Sequence, residues 1–207
     1  RQVKVDPRSA ENLGFTSSLT SFQSRLAWHC HFMQRLESEA TMDEIAINPE
    51  LDELLNRQLD QRKFIAWRDG KTGWPFFDAC MRYLTATGWI NFRMRAMLQS
   101  VASYTLWLPW QATGTHLANL FMDYEPGIHW SQVQMQSGVT GINSVRAYSV
   151  SKQSIDHDLD GEFIRKWVPE LGAVPTEHIH EPWLMSKTEQ EQYDCRIDID
   201  YPSPIVD

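Results

Sequence analysis

The stretch GKTGWPFFDACMRYLTATGW, Gly70 to Trp89, decides the fold because it holds a helix between two clear boundary signals. Pro75 stands where the first turn of a helix tolerates proline, and Gly88 follows the last apolar residue of the run. The apolar residues between these signals recur at helical spacing. They predict a core helix and are Phe76, Phe77, Cys80, Met81 and Leu84.

Most of the rest of the chain is also predicted to be helical, so the fold class is all-α, although the chain is expected to be irregular after Ser137, through Gly138, Gly141 and Asn143. No segment shows the regular alternation of a half-buried strand. Ile197 to Asp207 alternates weakly but contains Pro202 and Pro204, which favours an irregular, extended C-terminal strap. The other predicted helices span Leu19 to Leu36, Asn48 to Asp69, Trp89 to Trp107 before Pro109, Ala112 to Phe121, and Glu162 to Trp167.

The formal charge of −8 argues against indiscriminate binding of nucleic acid, because such binding depends on clustered Lys and Arg. A DNA contact would need a local basic patch. One candidate patch is Arg57, Arg62 and Lys63, and the other is Arg93 with Arg95. Each set is equally compatible with a solvated helix face.

Length and composition favour one domain, residues 1–207, of a cytoplasmic protein. The sequence has no apolar run long enough to cross a membrane and no signal peptide, so we expect no membrane partner. Its three cysteines, Cys30, Cys80 and Cys195, are odd in number and lack metal-type spacing. We therefore expect reduced thiols.

Three patterns that suggest other sites fail on spacing or context. Gly70-Lys71-Thr72 looks like the end of a phosphate-binding loop, but that motif requires glycine where Ile65 stands. His29-Cys30-His31 lies on a predicted helix, where consecutive side chains point in different directions and do not chelate together. We interpret His178 and His180 as structural and predict no metal site.

Five motifs in the same order along the chain resemble the photolyase/cryptochrome flavoproteins. The first is the Gly70 to Trp89 stretch itself. The others are Asn91-Phe92-Arg93-Met94-Arg95, Phe121-Met122-Asp123-Tyr124-Glu125, GEFIRKWVPEL from Gly161 to Leu171, and His180-Glu181-Pro182-Trp183. The resemblance implies the C-terminal part of the family's helical FAD-binding domain.

The resemblance covers the chain from the helix around Trp28 to the ending at Tyr201 to Val206. The family's N-terminal α/β antenna domain and its pyrophosphate-binding loop have no counterpart, although Thr16 to Thr20 is similar to that loop. The chain is then a fragment of a longer polypeptide, or a short member that binds flavin weakly or with a partner.

The family match implies that FAD is held by Arg95, Asp123, Tyr124, Glu125 and His129. In the family the arginine and the first carboxylate pair beside the flavin ring, and we expect such a pair to be buried. A fixed guanidinium there stabilises a reduced, anionic flavin. A buried salt bridge without any ligand is the alternative. His129 matches the residue that faces flavin N5, which leaves proton transfer at N5 open, because an imidazole is able to protonate N5 near neutral pH.

The resemblance also implies DNA contacts at Trp28, His29, Phe92 and Arg93. Trp28 matches the tryptophan that stacks on a pyrimidine dimer, and Arg93 is kept. Phe92 and His29 replace a family Asn and a family Arg, and Arg25 stands where repair enzymes carry Glu. These three departures put repair in question.

The tryptophan relay that photoreduces flavin is incomplete. Trp110 matches its middle member, while Val133 and Arg57 occupy the inner and outer positions. Substitute electron carriers are available in Trp89, Trp107, Trp130 and Tyr104, and Trp130 is the first candidate because it follows His129.

Three functions therefore compete. The first is a light-driven lyase in which reduced flavin gives an electron to a pyrimidine lesion in DNA. The second is a blue-light photoreceptor that signals through a partner without repair. The third is a helical interaction module that has lost the cofactor. We favour the first by family membership.

Overall fold

The computed structural model describes residues 13–142, 145 and 147–206, and in these residues it contains helices and no sheet, as the sequence predicts. A π-helix continues the fifth α-helix at Val101–Thr105, and 3₁₀ turns occur at Pro169–Leu171 and Pro182–Leu184. The α-helices are α1 Leu13–Ser38, α2 Pro49–Leu55, α3 Gln61–Arg68, α4 Pro75–Thr87, α5 Phe92–Ser100, α6 Trp110–Leu120, α7 Pro126–Ser137, α8 Val150–His157, α9 Glu162–Trp167 and α10 Lys187–Gln192.

Helix α4 lies at the centre of the main core and confirms the predicted helix. It begins at Pro75 and is closed by Gly88, whose φ of +70° is the left-handed conformation that glycine adopts without strain. Its apolar residues are buried against α5, α8 and α9. Burial of that stripe excludes water from the backbone of the helix and is the main source of its stability.

The Gly-Lys-Thr-Gly turn before α4 holds the C-terminal strap. Gly73 has a φ of +84°, and a Cβ there would lie 2.3 Å from the Ser203 carbonyl oxygen, so the close approach requires glycine. The Ile205 N–H donates to the Thr72 carbonyl oxygen at 2.9 Å. The strap is extended as predicted, with one isolated bridge between Ile197 and Tyr201, and Asp207 lies outside the described residues.

A buried carboxylate, Asp78, ties the strap to α4. One of its oxygens accepts from the N–H and the hydroxyl of Thr72, at 2.9 and 2.6 Å. The other accepts from the Gly73 N–H at 3.1 Å and from the Tyr201 hydroxyl at 2.6 Å. Burial raises the pKa of Asp78 to about 6 although these hydrogen bonds favour the charged form. We call Thr72, Gly73, Asp78 and Tyr201 the strap socket.

Two predicted helices are interrupted or end early in the structure. Asn48 to Asp69 forms two helices, because Asn56 closes α2 with a left-handed φ of 41° and the Asp60 side chain caps α3. Trp89 to Trp107 becomes α5 followed by the π-helix. Helices α7, α8 and α10 were not predicted. The apolar residues of α7 follow no regular helical stripe, whereas α8 and α10 are short helices within segments expected to be irregular.

Candidate functional site

Helices α5, α6 and α7 enclose a pocket of about 180 Å³ that brings together the residues expected to hold flavin. Arg95 and Phe92 enter it from α5, and Glu125 and His129 enter it from α7. Asp123 and Tyr124 lie on the turn that joins α6 to α7. We call this space the α5–α7 pocket; its other lining residues are Ala96, Gln99, Leu117, Phe121, Ile128, Gln132, Val133 and Gln136.

Arg95 and Asp123 form the expected pair at the mouth of the pocket. Arg95 Nη2 donates to Asp123 Oδ2 at 2.9 Å, and Arg95 Nε donates to the Ile90 carbonyl oxygen at 2.7 Å. The guanidinium also lies over the Phe121 ring, 4.2 Å from its centroid, which fixes its orientation.

The pair is not buried, and that expectation was wrong. The Arg95 side chain is 24% exposed and the Asp123 side chain is 50% exposed, because Asp123 lies on the turn after α6 rather than on a helix face. An ion pair this accessible contributes little to stability. Its position therefore fits contact with a ligand better than a structural salt bridge.

Glu125 and Tyr124 have local structural partners as well as a place in the pocket wall. The Glu125 carboxylate caps α7 by accepting from Gly127 N–H at 3.4 Å and Ile128 N–H at 3.0 Å. A negative charge at this end of a helix is favourable. The Tyr124 hydroxyl accepts from the Trp130 Nε1–H at 3.1 Å.

His129 is neutral near pH 7 in this structure. The residue is 8% exposed, and burial lowers its pKa to about 4; the Gly114 carbonyl opposes that shift and the Arg95 charge adds to it. Since a carbonyl only accepts, the 2.9 Å contact between Nε2 and Gly114 places the proton on Nε2. Protonation of flavin N5 by His129 stays a prediction, and the burial of the imidazole in this structure opposes it.

Two carboxamide oxygens in the wall of the pocket lack any partner. Gln99 donates through Nε2 to the hydroxyls of Ser103 and Thr113 at 3.0 and 2.9 Å, and to that of Ser137 at 3.1 Å. The Oε1 atoms of Gln99 and Gln132 are buried and accept nothing within the described part of the chain. Buried acceptors without donors are costly. A ligand with N–H or O–H donors, such as the ring edge and ribityl chain of FAD, would satisfy them.

Sequence reasoning missed both glutamines. The available signal was the position of Gln99, which is a polar residue inside the apolar run from Met97 to Ala102. Periodicity assigns such a residue to the core but does not reveal whether its partners are protein or ligand.

Trp130 and Trp110 form an aromatic path that leads away from the pocket. The Trp130 ring lies 5.0 Å from the His129 ring and 6.1 Å from the Trp110 ring, measured between centroids. Gly114 makes this packing possible, because a Cβ there would lie 2.5 Å from Trp130 Cζ3. The buried Trp110 in turn donates its indole N–H to Asp52 at 3.1 Å.

Arg57, the residue at the outer relay position, does not form a basic patch with Arg62 and Lys63. Its guanidinium is buried over the Trp107 ring, 4.9 Å from the centroid, and donates to the Ser137 carbonyl oxygen at 2.9 Å. Burial lowers its pKa. This arginine is therefore a packing element and is not available to phosphate.

The four expected DNA contacts lie on two helices, and Phe92 and Arg93 face different pockets. Trp28 and His29 lie on α1 and are exposed, Trp28 by 53%. Phe92 lines the α5–α7 pocket, whereas Arg93 opens into a different pocket on the other side of α5. Consecutive residues of a helix point about 100° apart, which explains the separation.

The described residues contain no group of three or more His, Cys, Asp or Glu side chains placed to hold a metal ion. No helix among them is long and apolar enough to cross a membrane. The cysteines Cys30, Cys80 and Cys195 are free thiols.

Comparison with known proteins identifies the family to which this chain belongs. The model of the FAD-binding domain of DNA photolyase matches residues 22–207. A deoxyribodipyrimidine photo-lyase of Alkalihalophilus pseudofirmus is 37% identical over 74% of this chain and 32% of its own length. A cryptochrome DASH of Gloeobacter violaceus is 34% identical over 72% of this chain and 30% of its own length.

Among solved structures, a Synechocystis cryptochrome matches with a TM-score of 0.82 at 30% identity, over 91% of this chain and 39% of that one. The chain therefore belongs to the photolyase/cryptochrome family and comprises residues of its helical FAD-binding domain. It spans about a third of the length of the curated relatives it matches.

Proposed function

We propose that the α5–α7 pocket holds the flavin ring of FAD in a photolyase-type flavoprotein. The observation that carries the proposal is the convergence of Arg95, Asp123, Tyr124, Glu125 and His129 on one pocket with unpartnered acceptors. A cavity of about 180 Å³ is smaller than a typical site for a whole ligand, which fits a chain that supplies only part of the FAD site.

Bound FAD supplies light absorption and one-electron chemistry. The chain's own residues orient it and set the charge around it. Arg95 provides a fixed positive charge that favours negative charge in the pocket. Leu117 and Val133 form an apolar wall that excludes water, and neutral His129 holds its hydrogen bond without delivering a proton.

Trp110 and Trp130 are the proposed electron relay, with Trp130 in place of the missing inner tryptophan at Val133. Their rings connect the pocket wall to Asp52, whose carboxylate stabilises positive charge on the Trp110 indole through its hydrogen bond. Trp130→Phe should slow light-driven flavin reduction in the presence of a thiol donor. A rate equal to the parent's would exclude this route.

For the whole protein, we propose blue-light-driven electron transfer from reduced flavin to a pyrimidine lesion in DNA. Trp28 would stack on the lesion, with His29, Phe92 and Arg93 as further DNA contacts. This proposal treats residues 1–207 as a single domain of a cytoplasmic protein that works with an N-terminal antenna domain.

A cryptochrome-type photoreceptor with a signalling partner is the second candidate. The separation of Phe92 and Arg93 into different pockets favours it, and so does Arg25, which is exposed on α1 where repair enzymes carry Glu. Both functions need the same flavin pocket, so the pocket does not discriminate between them.

Two measurements on the purified full-length polypeptide test the proposal. Flavin bands are expected in its absorbance spectrum. Their absence after reconstitution with FAD would exclude both flavin-dependent functions and favour the cofactor-free interaction module. Binding of dimer-containing and undamaged oligonucleotides would then be compared at two salt concentrations, for the parent and Trp28→Ala. Stacking is worth about 1–3 kcal/mol per base, so Trp28→Ala should remove the lesion preference. A flavin-loaded parent with no preference would support the photoreceptor.

A further inference from the structure

The pocket that receives Arg93 is a separate cavity of about 510 Å³ between α4, α5, α8 and α9. Its volume is in the range of small-molecule sites. We call it the Trp89 pocket and define it by Phe76, Tyr83, Trp89, Arg93, His157 and Phe163. It shares no lining residue with the α5–α7 pocket.

Aromatic rings form the walls of this pocket. The Phe163 ring lies 6.0 Å from the Phe76 ring and 5.6 Å from the Tyr83 ring, and these contacts hold the wall rigid. His157 stacks on Phe76 at an interplanar angle of 18°. Trp89 differs from them, because it is 48% exposed and has no ring partner among the described residues. Its face is therefore open to a flat ligand.

Four side chains at the rim have donor groups without partners in the described structure. They are the Trp89 indole N–H, the Tyr83 hydroxyl, the Arg93 guanidinium and the side-chain NH₂ of Asn91. The Asn91 oxygen is already used, since it accepts from Met94 N–H at 3.1 Å. A rim of this kind complements a ligand rich in acceptors.

Arg93 forms no ion pair within the described residues, and the nearby acids have other partners. Asp158 accepts from the N–H groups of Phe163 and Ile164 at 2.9 and 2.8 Å, and Asp78 is enclosed in the strap socket. Asp156 pairs with Lys152 at 3.2 Å. Burial raises the pKa of the Cys80 thiol on the floor, and the negative charges of Asp158 and Asp78 act in the same direction, so this thiol is neutral. Arg93 is the unpaired cation of the pocket within the described residues, and an anionic ligand would pair with it.

We propose that the Trp89 pocket binds a nucleotide, with the base stacked on Trp89 and the phosphate on Arg93. A planar guanidinium matches phosphate geometry, and an indole stacks on any base. The nucleotide comes either from the free pool or from a DNA strand. The proposal does not depend on flavin, since Phe92 and Arg95, not Arg93, line the α5–α7 pocket.

The test is calorimetric titration of the full-length protein with thymidine monophosphate, thymidine, inorganic phosphate and a short oligothymidylate. Thymidine monophosphate should bind more tightly than thymidine or phosphate. Arg93→Gln should weaken its binding on the order of tenfold and leave thymidine unchanged, whereas Trp89→Ala should weaken both on that order. Lys187→Gln, an exposed cation of α10 that belongs to neither candidate basic patch, is the control and should have no effect.

The oligothymidylate distinguishes the two sources of the nucleotide. If it binds more than tenfold more tightly than the monophosphate and depends equally on Trp89 and Arg93, the ligand is a strand; equal affinities indicate a free nucleotide. Unchanged binding in both variants would overturn the proposal, as would no binding of either ligand at millimolar concentration. Urea unfolding and flavin absorbance of each variant separate loss of the site from misfolding and from failure of the flavin pocket.

Discussion

The strap socket and the α5–α7 pocket differ in whether their buried hydrogen-bond acceptors have donors. In the socket each oxygen of Asp78 has two donors, and one of these four donors, the Tyr201 hydroxyl, is far away in sequence. In the pocket the Oε1 atoms of Gln99 and Gln132 have no hydrogen-bond donor within the described residues. Satisfied groups stabilise the fold, whereas unsatisfied groups reduce its stability until a ligand arrives. The contrast separates residues kept for stability from residues placed for binding.

The largest expected effect comes from removing the acceptor of the socket. Asp78→Ala leaves the N–H groups of Thr72 and Gly73 and the Tyr201 hydroxyl without partners, and should lower the free energy of unfolding by about 3–5 kcal/mol. Urea denaturation of the parent and the variant measures this loss in the free energy of unfolding. A loss below about 1 kcal/mol, with an unchanged m value, would contradict the role of the socket.

The pH dependence of stability should identify the same group. Because burial raises the pKa of Asp78 to about 6, the folded protein holds this proton more tightly than the unfolded chain. Its contribution is fully present below about pH 4 and is lost as the pH rises through 6, a change of roughly 3 kcal/mol. Asp78→Asn lacks this contribution. Parallel stability profiles of parent and variant between pH 4 and 7 would show that Asp78 does not titrate in this way.

An intermediate effect is expected at the close approach of α6 and α7. Gly114→Ala places a Cβ 2.5 Å from Trp130 Cζ3 and 3.0 Å from Val133 Cγ1, so α7 must shift. We expect a loss of about 1–3 kcal/mol and weaker FAD binding, measured by denaturation and by flavin titration. Thr115→Ala, on the exposed face of the same helix, is the control. It should change the free energy of unfolding and the affinity for FAD only slightly. Full FAD affinity in Gly114→Ala would mean that the pocket tolerates the shift.

The smallest stability effect is expected at the mouth of the pocket. Asp123→Asn should change the free energy of unfolding by less than about 1 kcal/mol, because the pair with Arg95 is exposed. FAD occupancy after reconstitution of the full-length protein should nevertheless fall, since the charge pair lies where the ligand binds. If the free energy of unfolding falls and FAD occupancy stays unchanged, Asp123 stabilises the fold, as the socket residues do, and does not bind the ligand.

Features that depend on neighbouring residues were predictable. Helix α9 begins at Glu162 and ends at Trp167 as predicted, and α4 follows its proline and glycine signals. Periodicity and helix-ending residues act within a few positions, so they can be recognised along the chain. Helix α7 was missed because its residues face the ligand pocket as well as the core, which blurs the apolar stripe.

The chemistry of the candidate site depended on residues far apart in sequence. The neutral state of His129 follows from burial beneath α6, and the accessibility of Asp123 follows from its place on a turn. Neither property has a local sequence signal.

The sequence by itself determined that this protein is helical and that its motifs place it in the photolyase/cryptochrome family, and it predicts which residues contact flavin. Tertiary structure alone decided that Arg93 and Arg95, two positions apart, serve different pockets, and that Trp130 contacts Trp110. The reason is physical. Motifs record which side chains are present, whereas burial, partner distance and direction from a helix axis arise only when distant segments pack together.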